Sequence, residues 1–211
     1  IDEKEYRVPE GTYLLEICRK NGIDIPTLCH HEAVEPWGGC RLCLVEYNKK
    51  TWDDWWTELA TACLFPAEDG LKVWTRSEKV LAARRTVLDL LLARCPESRV
   101  VQDLAREYGV YETTFRKRED ADDCILCGLC VRVCAEVESA HTWNVLGRGI
   151  ESRVITDLNE PWGASRTCTS CGKCVQVCPT GALFDKGKGV GEMRKEREFL
   201  PYLTVMRLSL I

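Results

Sequence analysis

The feature that most constrains this chain is a cysteine pattern that occurs twice. Residues 124–135 read CILCGLCVRVCA, and residues 168–179 read CTSCGKCVQVCP. Each copy has three cysteines at C-x2-C-x2-C and a fourth after three further residues. Cysteines spaced this closely bring several thiolates to one point, as a metal centre requires. We therefore expect both stretches to fold as ligand loops around metal.

The duplication has a mechanical explanation if each copy holds a [4Fe–4S] cluster. A tight loop reaches three corners of the cluster, and in two-cluster ferredoxins the fourth cysteine of each motif ligates the other cluster. We expect that fourth cysteine at the start of a helix that points away from its own loop. The predicted ligands of one cluster are Cys124, Cys127, Cys130 and Cys178, and those of the other are Cys134, Cys168, Cys171 and Cys174.

Small residues inside the motifs support this interpretation. Gly128 and Gly172 can adopt positive φ and bring backbone N–H groups close to the inorganic sulfides. Pro179 follows the last cysteine, as in the bacterial ferredoxin pattern, whereas the first copy has Ala135 at that place. The alternative is structural zinc bound by the C-x2-C pairs. A zinc site needs four ligands around one ion, and it does not explain why each motif has three closely spaced cysteines followed by a separate fourth.

A third set of cysteines lies in the first part of the chain. Their spacing, C-x10-C-x2-C-x19-C, is close to that of plant-type ferredoxins with a longer first loop, and it predicts a [2Fe–2S] site. Gly38 and Gly39 suit a loop that approaches a cluster closely. In Rieske centres two histidines replace two cysteine ligands. Here four cysteines already complete the set, so we expect a hydrogen-bonding or surface role for His30 and His31. The predicted ligands are Cys29, Cys40, Cys43 and Cys63.

Two of the 14 cysteines belong to none of these sets. Cys18 lies on the apolar face of a predicted helix and Cys95 precedes a proline, so we expect both to be small buried hydrophobic residues. The tight ligand-like spacings disfavour disulfides and favour a reducing compartment, the cytoplasm. The net charge of −4 disfavours a nucleic-acid partner. We also expect no membrane span, because no apolar run is long enough.

The chain is predicted to be an α+β protein with four segments. Residues 1–76 are expected to form the [2Fe–2S] domain, with strands in IDEKEYRVPEG, RLCLVEY and LKVWTRS and a helix capped by Thr12 in TYLLEICRKNG. A predicted hairpin before Cys63 carries Trp52, Trp55 and Trp56. Two helices in residues 77–119 form a linker, the first capped by Ser77. Residues 120–190 form the two-cluster domain, and residues 191–211 are a tail for a partner or a surface helix.

Several segments together carry a family resemblance. IPTLCH, DDCILCGLCVRVC, AHTWNV, PWGA and CTSCGKCVQVCPTGALF resemble the small diaphorase subunit of NAD-linked bidirectional [NiFe] hydrogenases. The same order of segments resembles the N-terminal region of the large iron–sulfur subunit of complex I. The resemblance implies a β-grasp fold for the [2Fe–2S] domain, and it implies a further strand before Ile1.

The resemblance also implies a function and partners. The chain would conduct electrons between a flavin subunit that reacts with NAD(H) and a second redox subunit. The preferred candidate for the second subunit is a hydrogenase small subunit. A formate dehydrogenase or an electron-bifurcating complex would use the same relay. Many relatives carry a cluster held by one histidine and three cysteines between the two domains. Residues 64–123 contain only Cys95 and no histidine, so we expect the helical pair in its place.

No catalytic residue is predicted in the chain itself. The glycine-rich segment KGKGVGE has no βαβ context, so it does not indicate a nucleotide site. The second hypothesis is a free soluble ferredoxin that carries electrons by diffusion. Such carriers are usually short and strongly acidic, whereas this chain has 211 residues and a net charge of −4. We therefore favour a component of a larger complex.

Overall fold

The contacts within the chain define two units. The computed structural model describes residues 1–50, 55–118 and 122–184. The first unit consists of Ile1–Leu28 and Pro36–Asp122, and the second consists of Cys29–Glu35 and the chain from Asp123 onward. The predicted tail at 191–211 and Trp52 lie outside the described residues. The predicted helical linker, by its contacts, is part of the first unit.

A three-stranded antiparallel sheet forms the centre of the first unit. Strand β1 (Leu44–Lys50) pairs with β2 (Trp55–Thr61) on one side and with β3 (Lys72–Trp74) on the other. The β1–β2 hairpin that the sequence predicts is present, with Leu44 opposite Thr61. One face of the sheet is apolar, since Val45 and Val73 are buried in the same cluster as the first helix.

Helix α1 (Leu14–Lys20) covers this face with Leu14, Leu15, Ile17 and Cys18. The predicted cap at Thr12 is wrong: Tyr13 is the N-cap, and the Thr12 hydroxyl donates to the Pro9 carbonyl at 2.7 Å. Burial of the apolar side chains, not the cap, therefore sets where the helix begins.

The predicted strand at the N-terminus is also wrong. Asp2 and Glu3 have positive φ, which breaks an extended run. The Asp2 carboxylate accepts hydrogen bonds from the Thr75 backbone N–H at 2.8 Å and from its hydroxyl at 2.6 Å. The Asp2 backbone N–H also donates to the Val73 carbonyl of β3 at 2.8 Å, but the positive φ of Asp2 and Glu3 prevents the chain from continuing as a strand beside it.

Two helices complete the first unit. Helix α2 (Glu78–Arg94) begins at the predicted cap, where the Ser77 hydroxyl accepts from the Val80 N–H at 3.3 Å. Helix α3 (Arg99–Glu107) is followed by Gly109 at φ +76°, the conformation with which helices commonly end. Val80, Leu88 and Val101 are fully buried, so both helices contribute to the core.

The second unit is built from two short helices and a hairpin. Helix α4 (Leu129–Arg132) continues into a π-helical turn (Val133–Val137), and α5 (Lys173–Val177) lies in contact with both. Strands β4 (Trp143–Leu146) and β5 (Arg153–Thr156) pair antiparallel. The core of this unit contains Ala33, Val34, Leu129, Val133, Trp143, Val175 and Val177. In the described part of the chain, no helix is long and apolar enough to cross a membrane.

Candidate iron–sulfur centres

The two repeated motifs share the same backbone conformation. Leu126 and Ser170 have φ of +55° and +56°, and Gly128 and Gly172 have φ of +70° and +72°. The positive φ of both glycines is as predicted, and each glycine is also the N-cap of the helix that follows. Alternating right- and left-handed residues make concave backbone surfaces whose N–H groups face an anion, including iron–sulfur sites. The sequence repeat is therefore also a repeat of ligand-loop geometry.

The fourth cysteine of the second motif lies among those of the first. Burial raises the pKa of the Cys127 thiol to about 12, and the nearby Cys178 and Cys124 act in the same direction. Burial also raises the pKa of Cys130, and Cys127, Cys124 and Cys178 add to the effect. These electrostatic effects require the four sulfur atoms to be neighbours. The structure thus brings together the four residues predicted for one [4Fe–4S] cluster.

The second set of four lines a single cavity of about 430 Å³. Its walls include Cys134 from the first motif and Cys168, Cys171 and Cys174 from the second. Burial raises the pKa of Cys174 to about 12, with Cys171 and Cys168 adding to the effect. A thiol-lined cavity of this kind fits a [4Fe–4S] cluster, whose ligands are four thiolates.

N–H groups point at the sulfur atoms of this cavity. The Thr142 backbone N–H donates to Cys134 Sγ at 3.3 Å, and the Trp162 indole N–H donates to Cys168 Sγ at 3.3 Å. The Trp143 side chain bonds to Cys174 and lowers its pKa against the raising effect of burial. The two indoles meet edge to face, with centroids 5.1 Å apart. Hydrogen bonds to cluster sulfurs raise the reduction potential, so these groups can tune the site.

The fourth cysteine of each motif is not at the start of a helix, and that expectation is wrong. Cys134 lies inside the π-helical turn that continues α4. Cys178 is the C-cap residue of α5 and has an extended backbone. In each motif the helix therefore contains the third cysteine, and the fourth lies one turn further along the chain. The helix carries the chain from one cysteine set to the other, which is the crossing that the spacing predicts.

The hairpin of the first unit positions two cysteines of the third set. Cys43 directly precedes β1 and Cys63 follows β2, so pairing of Leu44 with Thr61 brings them together. Their sulfur atoms are 3.4 Å apart, and this contact lowers the pKa of Cys43. The Leu28 N–H donates to Cys40 Sγ at 3.5 Å, and the charge of Cys40 raises the pKa of Cys43. The three thiols are buried.

Cys29, the remaining residue of this set, belongs by its contacts to the second unit. Its carbonyl accepts a hydrogen bond from Arg132 Nη2 at 2.6 Å, and the Glu35 carbonyl accepts one from Arg132 Nη1 at 2.6 Å. The Glu35 N–H donates to Glu136 at 2.7 Å. The sequence analysis did not predict these bonds of Arg132, although its place between the predicted ligands Cys130 and Cys134 was a signal.

The neighbouring histidines and glycines have packing roles. His31 Nδ1 accepts from the Ala33 N–H at 3.0 Å, and burial lowers the pKa of His31, which fits the predicted hydrogen-bonding role. A Cβ on Gly38 would lie 2.6 Å from the Leu64 side chain, and one on Gly39 would lie 2.4 Å from the Trp37 ring. A side chain at either position would have to displace these neighbours, and Gly38 also has a φ of +70°, which favours glycine.

The two cysteines outside the sets are both fully buried, as predicted. Burial and the charge of Asp2 raise the pKa of Cys18 to about 11. Among the described residues, no group of three or more His, Cys, Asp or Glu side chains could hold a single metal ion. A cluster makes a different demand, because its thiolates bind separate irons around the inorganic core.

Comparisons with known proteins identify two parts of the chain. Residues 1–78 match the model of a 2Fe-2S iron-sulfur cluster binding domain, and residues 120–182 match that of a 4Fe-4S dicluster domain. These matches confirm the predicted α+β class, with a [2Fe–2S] ferredoxin-like domain followed by a domain for two [4Fe–4S] clusters.

Individual relatives extend the match across both domains. The NADP-reducing hydrogenase subunit HndD of Solidesulfovibrio fructosivorans is 35% identical over 213 residues, which cover 88% of this chain and 35% of that protein. The NADH-ubiquinone oxidoreductase 75 kDa subunit of Reclinomonas americana is 28% identical over 209 residues, covering 88% of this chain and 29% of that protein. The chain thus spans about a third of the length of these curated relatives.

A solved structure is similar over most of its matching chain. The crystal structure of an NAD+-reducing [NiFe]-hydrogenase in the H2-reduced state contains a chain that is 30% identical, with a TM-score of 0.73. The match covers 88% of this chain and 85% of that one. The predicted resemblance is confirmed: the chain belongs to the family of iron–sulfur electron-transfer subunits that includes those of NAD(P)-linked hydrogenases and NADH–quinone oxidoreductases.

Proposed function

We propose that this chain relays electrons between a flavin subunit that reacts with NAD(H) and a second redox subunit of the same complex. The second subunit is the small subunit of a [NiFe] hydrogenase module. The similarity to a chain of an NAD+-reducing [NiFe]-hydrogenase, which covers 85% of that chain, supports this choice. The chain itself carries no catalytic residue in this proposal, and the complex works in the cytoplasm.

The proposed ligands are the three cysteine sets. Cys29, Cys40, Cys43 and Cys63 hold the [2Fe–2S] cluster. One [4Fe–4S] cluster is held by Cys124, Cys127, Cys130 and Cys178, and the other by Cys134, Cys168, Cys171 and Cys174. The observation that carries the proposal is the exchange of fourth cysteines, since Cys178 neighbours Cys127 and Cys134 lines the cavity of the second motif.

The arrangement of the two four-cysteine sets suits electron relay. When bound, the clusters supply one-electron chemistry, and the protein supplies position and electrostatics. Cys174 is close enough to Cys130 to raise its pKa, so the two sets are adjacent. The thiols of Cys130, Cys134, Cys174 and Cys178 are all buried, which limits access of water to the space between the sets. The short distance between the sets and the limited access of water both favour direct electron transfer from one proposed cluster to the other.

Replacing Cys171 by serine tests the relay in the assembled complex. Cys171 is the exposed member of its set, so the change removes a ligand with little loss of packing. We expect electron flow between NAD(H) and the distal subunit to fall strongly, while NAD(H)-dependent reduction of a dye at the flavin subunit survives. Cys18→Ala is the control for loss of a cysteine outside the three sets. Equal loss of both activities in an assembled C171S complex would refute the relay.

Metal analysis tests the ligand sets independently of activity. Anaerobically purified protein should contain about ten irons per chain, with matching sulfide and a brown colour. Zinc in a colourless protein would instead support the zinc alternative. Size-exclusion chromatography of the native material separates the remaining hypotheses: co-elution with a flavin subunit supports the relay, and a lone monomer supports a diffusing ferredoxin.

A further inference from the structure

A buried arginine in the first unit has no role in the function described so far. Arg84 lies in the middle of helix α2, and only 1% of its surface is exposed. Burying a guanidinium group is costly unless its N–H groups are hydrogen-bonded, and arginine remains charged in proteins. A hydrophobic residue at this place would pack against the sheet at a lower cost. The charge therefore calls for an explanation beyond packing.

The hydrogen bonds of Arg84 surround one cysteine. Its Nε donates to the Leu42 carbonyl at 3.1 Å, and its Nη2 donates to the Leu44 carbonyl at 2.7 Å. These carbonyls belong to the residues directly before and after Cys43. The planar guanidinium thus binds the main chain on both sides of this thiol. Its rigid fork of N–H donors can fix the distance between the two carbonyls.

The charge of Arg84 is not cancelled by these partners. The two carbonyls are neutral, and so is the third acceptor, the Tyr108 hydroxyl, at 3.2 Å from Nη1. The guanidinium also lies 5.9 Å from the centre of the Tyr108 ring. Its field reaches the nearby Cys18, whose pKa it lowers against the stronger raising effect of burial. Charges act over longer distances in a poorly solvated interior than in water.

We propose that Arg84 positions Cys43 and raises the reduction potential of the [2Fe–2S] cluster; this rests on the proposed assignment of Cys43 as a ligand. Reduction adds an electron, and a fixed positive charge stabilises the more negative state. Helix α2 then does more than connect two cysteine-rich segments of the chain, because it supplies the charge and the clamp for the ligand loop that precedes β1.

An EPR-monitored redox titration of the full chain with its clusters tests the inference. Arg84→Gln removes the charge, and we expect the equilibrium constant for reducing the [2Fe–2S] cluster to fall about tenfold, about 59 mV for one electron. Arg85→Gln is the matched control: Arg85 is the next residue of α2, is exposed, and donates to the Tyr108 carbonyl at 3.1 Å. We expect the reduction potential of the [2Fe–2S] cluster in R85Q to equal that of the wild type. An unchanged potential in R84Q with the cluster intact would overturn the proposal.

Arg84→Lys separates charge from clamping and decides the matter if R84Q loses its cluster. It keeps the charge, so we expect a potential near that of the wild type, but faster hydrogen exchange in the segment that contains Leu42 and Leu44. A tenfold fall in R84K would refute the electrostatic role, and unchanged exchange would refute the clamp. Cys43→Ser tests the ligand assignment itself. If C43S keeps the [2Fe–2S] signal, the ligand set fails; if it loses the signal while R84Q behaves as wild type, only the present inference fails.

Discussion

Replacing Trp162 by phenylalanine isolates one hydrogen bond at the cavity of the second motif. The indole N–H donates to Cys168 Sγ at 3.3 Å, and the ring packs edge to face on Trp143. Phenylalanine keeps an aromatic ring at this contact but lacks the N–H group. The substitution therefore changes the electrostatics at the sulfur more than the packing.

The size of the effect follows from the part of the bond energy that depends on oxidation state. A hydrogen bond to a charged group contributes about 1.5–3 kcal/mol. If about a third of this is gained only in the more negative reduced state, the loss is about 0.5–1 kcal/mol. That energy corresponds to a fall of about 20–40 mV in the one-electron reduction potential. The direction is downward, because the N–H group favours the added negative charge.

The assay is an anaerobic redox titration followed by EPR. The signal of the relevant cluster is the one that Cys171→Ser removes, so the shift can be assigned. Trp56→Phe is the control, because Trp56 is an exposed tryptophan on β2. We expect the redox titration of W56F to match that of the wild type. An intact cluster in W162F with an unshifted potential would show that the N–H···S bond does not tune this site, and the reasoning would fail.

Two further predictions concern single side chains. Cys18, whose pKa burial raises to about 11, should resist iodoacetamide in the native protein at about pH 8 and react after denaturation, as read by mass spectrometry; rapid native labelling would contradict its burial. Arg132→Met removes donors to the carbonyls of Cys29 and Glu35, so the segment between them should exchange hydrogen faster. Arg106→Met, which removes an exposed helix-surface pair, should leave that exchange unchanged, and equal rates in both variants would refute the role of Arg132.

The proximity of the repeat cysteines in two groups of four could be predicted from the sequence because ligand spacing reflects a local geometric demand. A loop around a cluster must place its thiolates within a few residues of one another, and the repeat of C-x2-C-x2-C states this demand directly. The helix cap at Ser77 was predictable for the same reason, since the bond to the Val80 N–H is local. The positive φ of Gly128 and Gly172 followed from the motif itself.

Features that depend on distant partners could not be predicted in the same way. The N-terminal stretch resembles a strand in its composition, but the Asp2 carboxylate bonds to Thr75, which is 73 residues away. The hairpin of β4 and β5 gives little signal, because Val145 and Leu146 are exposed and do not alternate with polar residues. In the sequence, Arg84 stands beside Arg85 in a predicted helix, where an arginine is normally expected to face solvent. Its burial is explained by the Leu42 and Leu44 carbonyls, which the tertiary structure brings to it.

Within the repeat, the departure from the bacterial ferredoxin pattern at Ala135, which stands in place of proline, explains a difference between the two motifs. Pro179 has no N–H group and restricts the residue before it, so α5 ends and Cys178 is extended. Ala135 imposes no such stop, and the helix continues as a π-helical turn to Val137. This extra turn carries Glu138 to the second motif, where it accepts hydrogen bonds from the Thr169 hydroxyl at 2.7 Å and from Lys173 at the start of α5. The departure thus adds a polar link between the motifs without loss of the cysteine geometry, and it makes the environments of the two sets different.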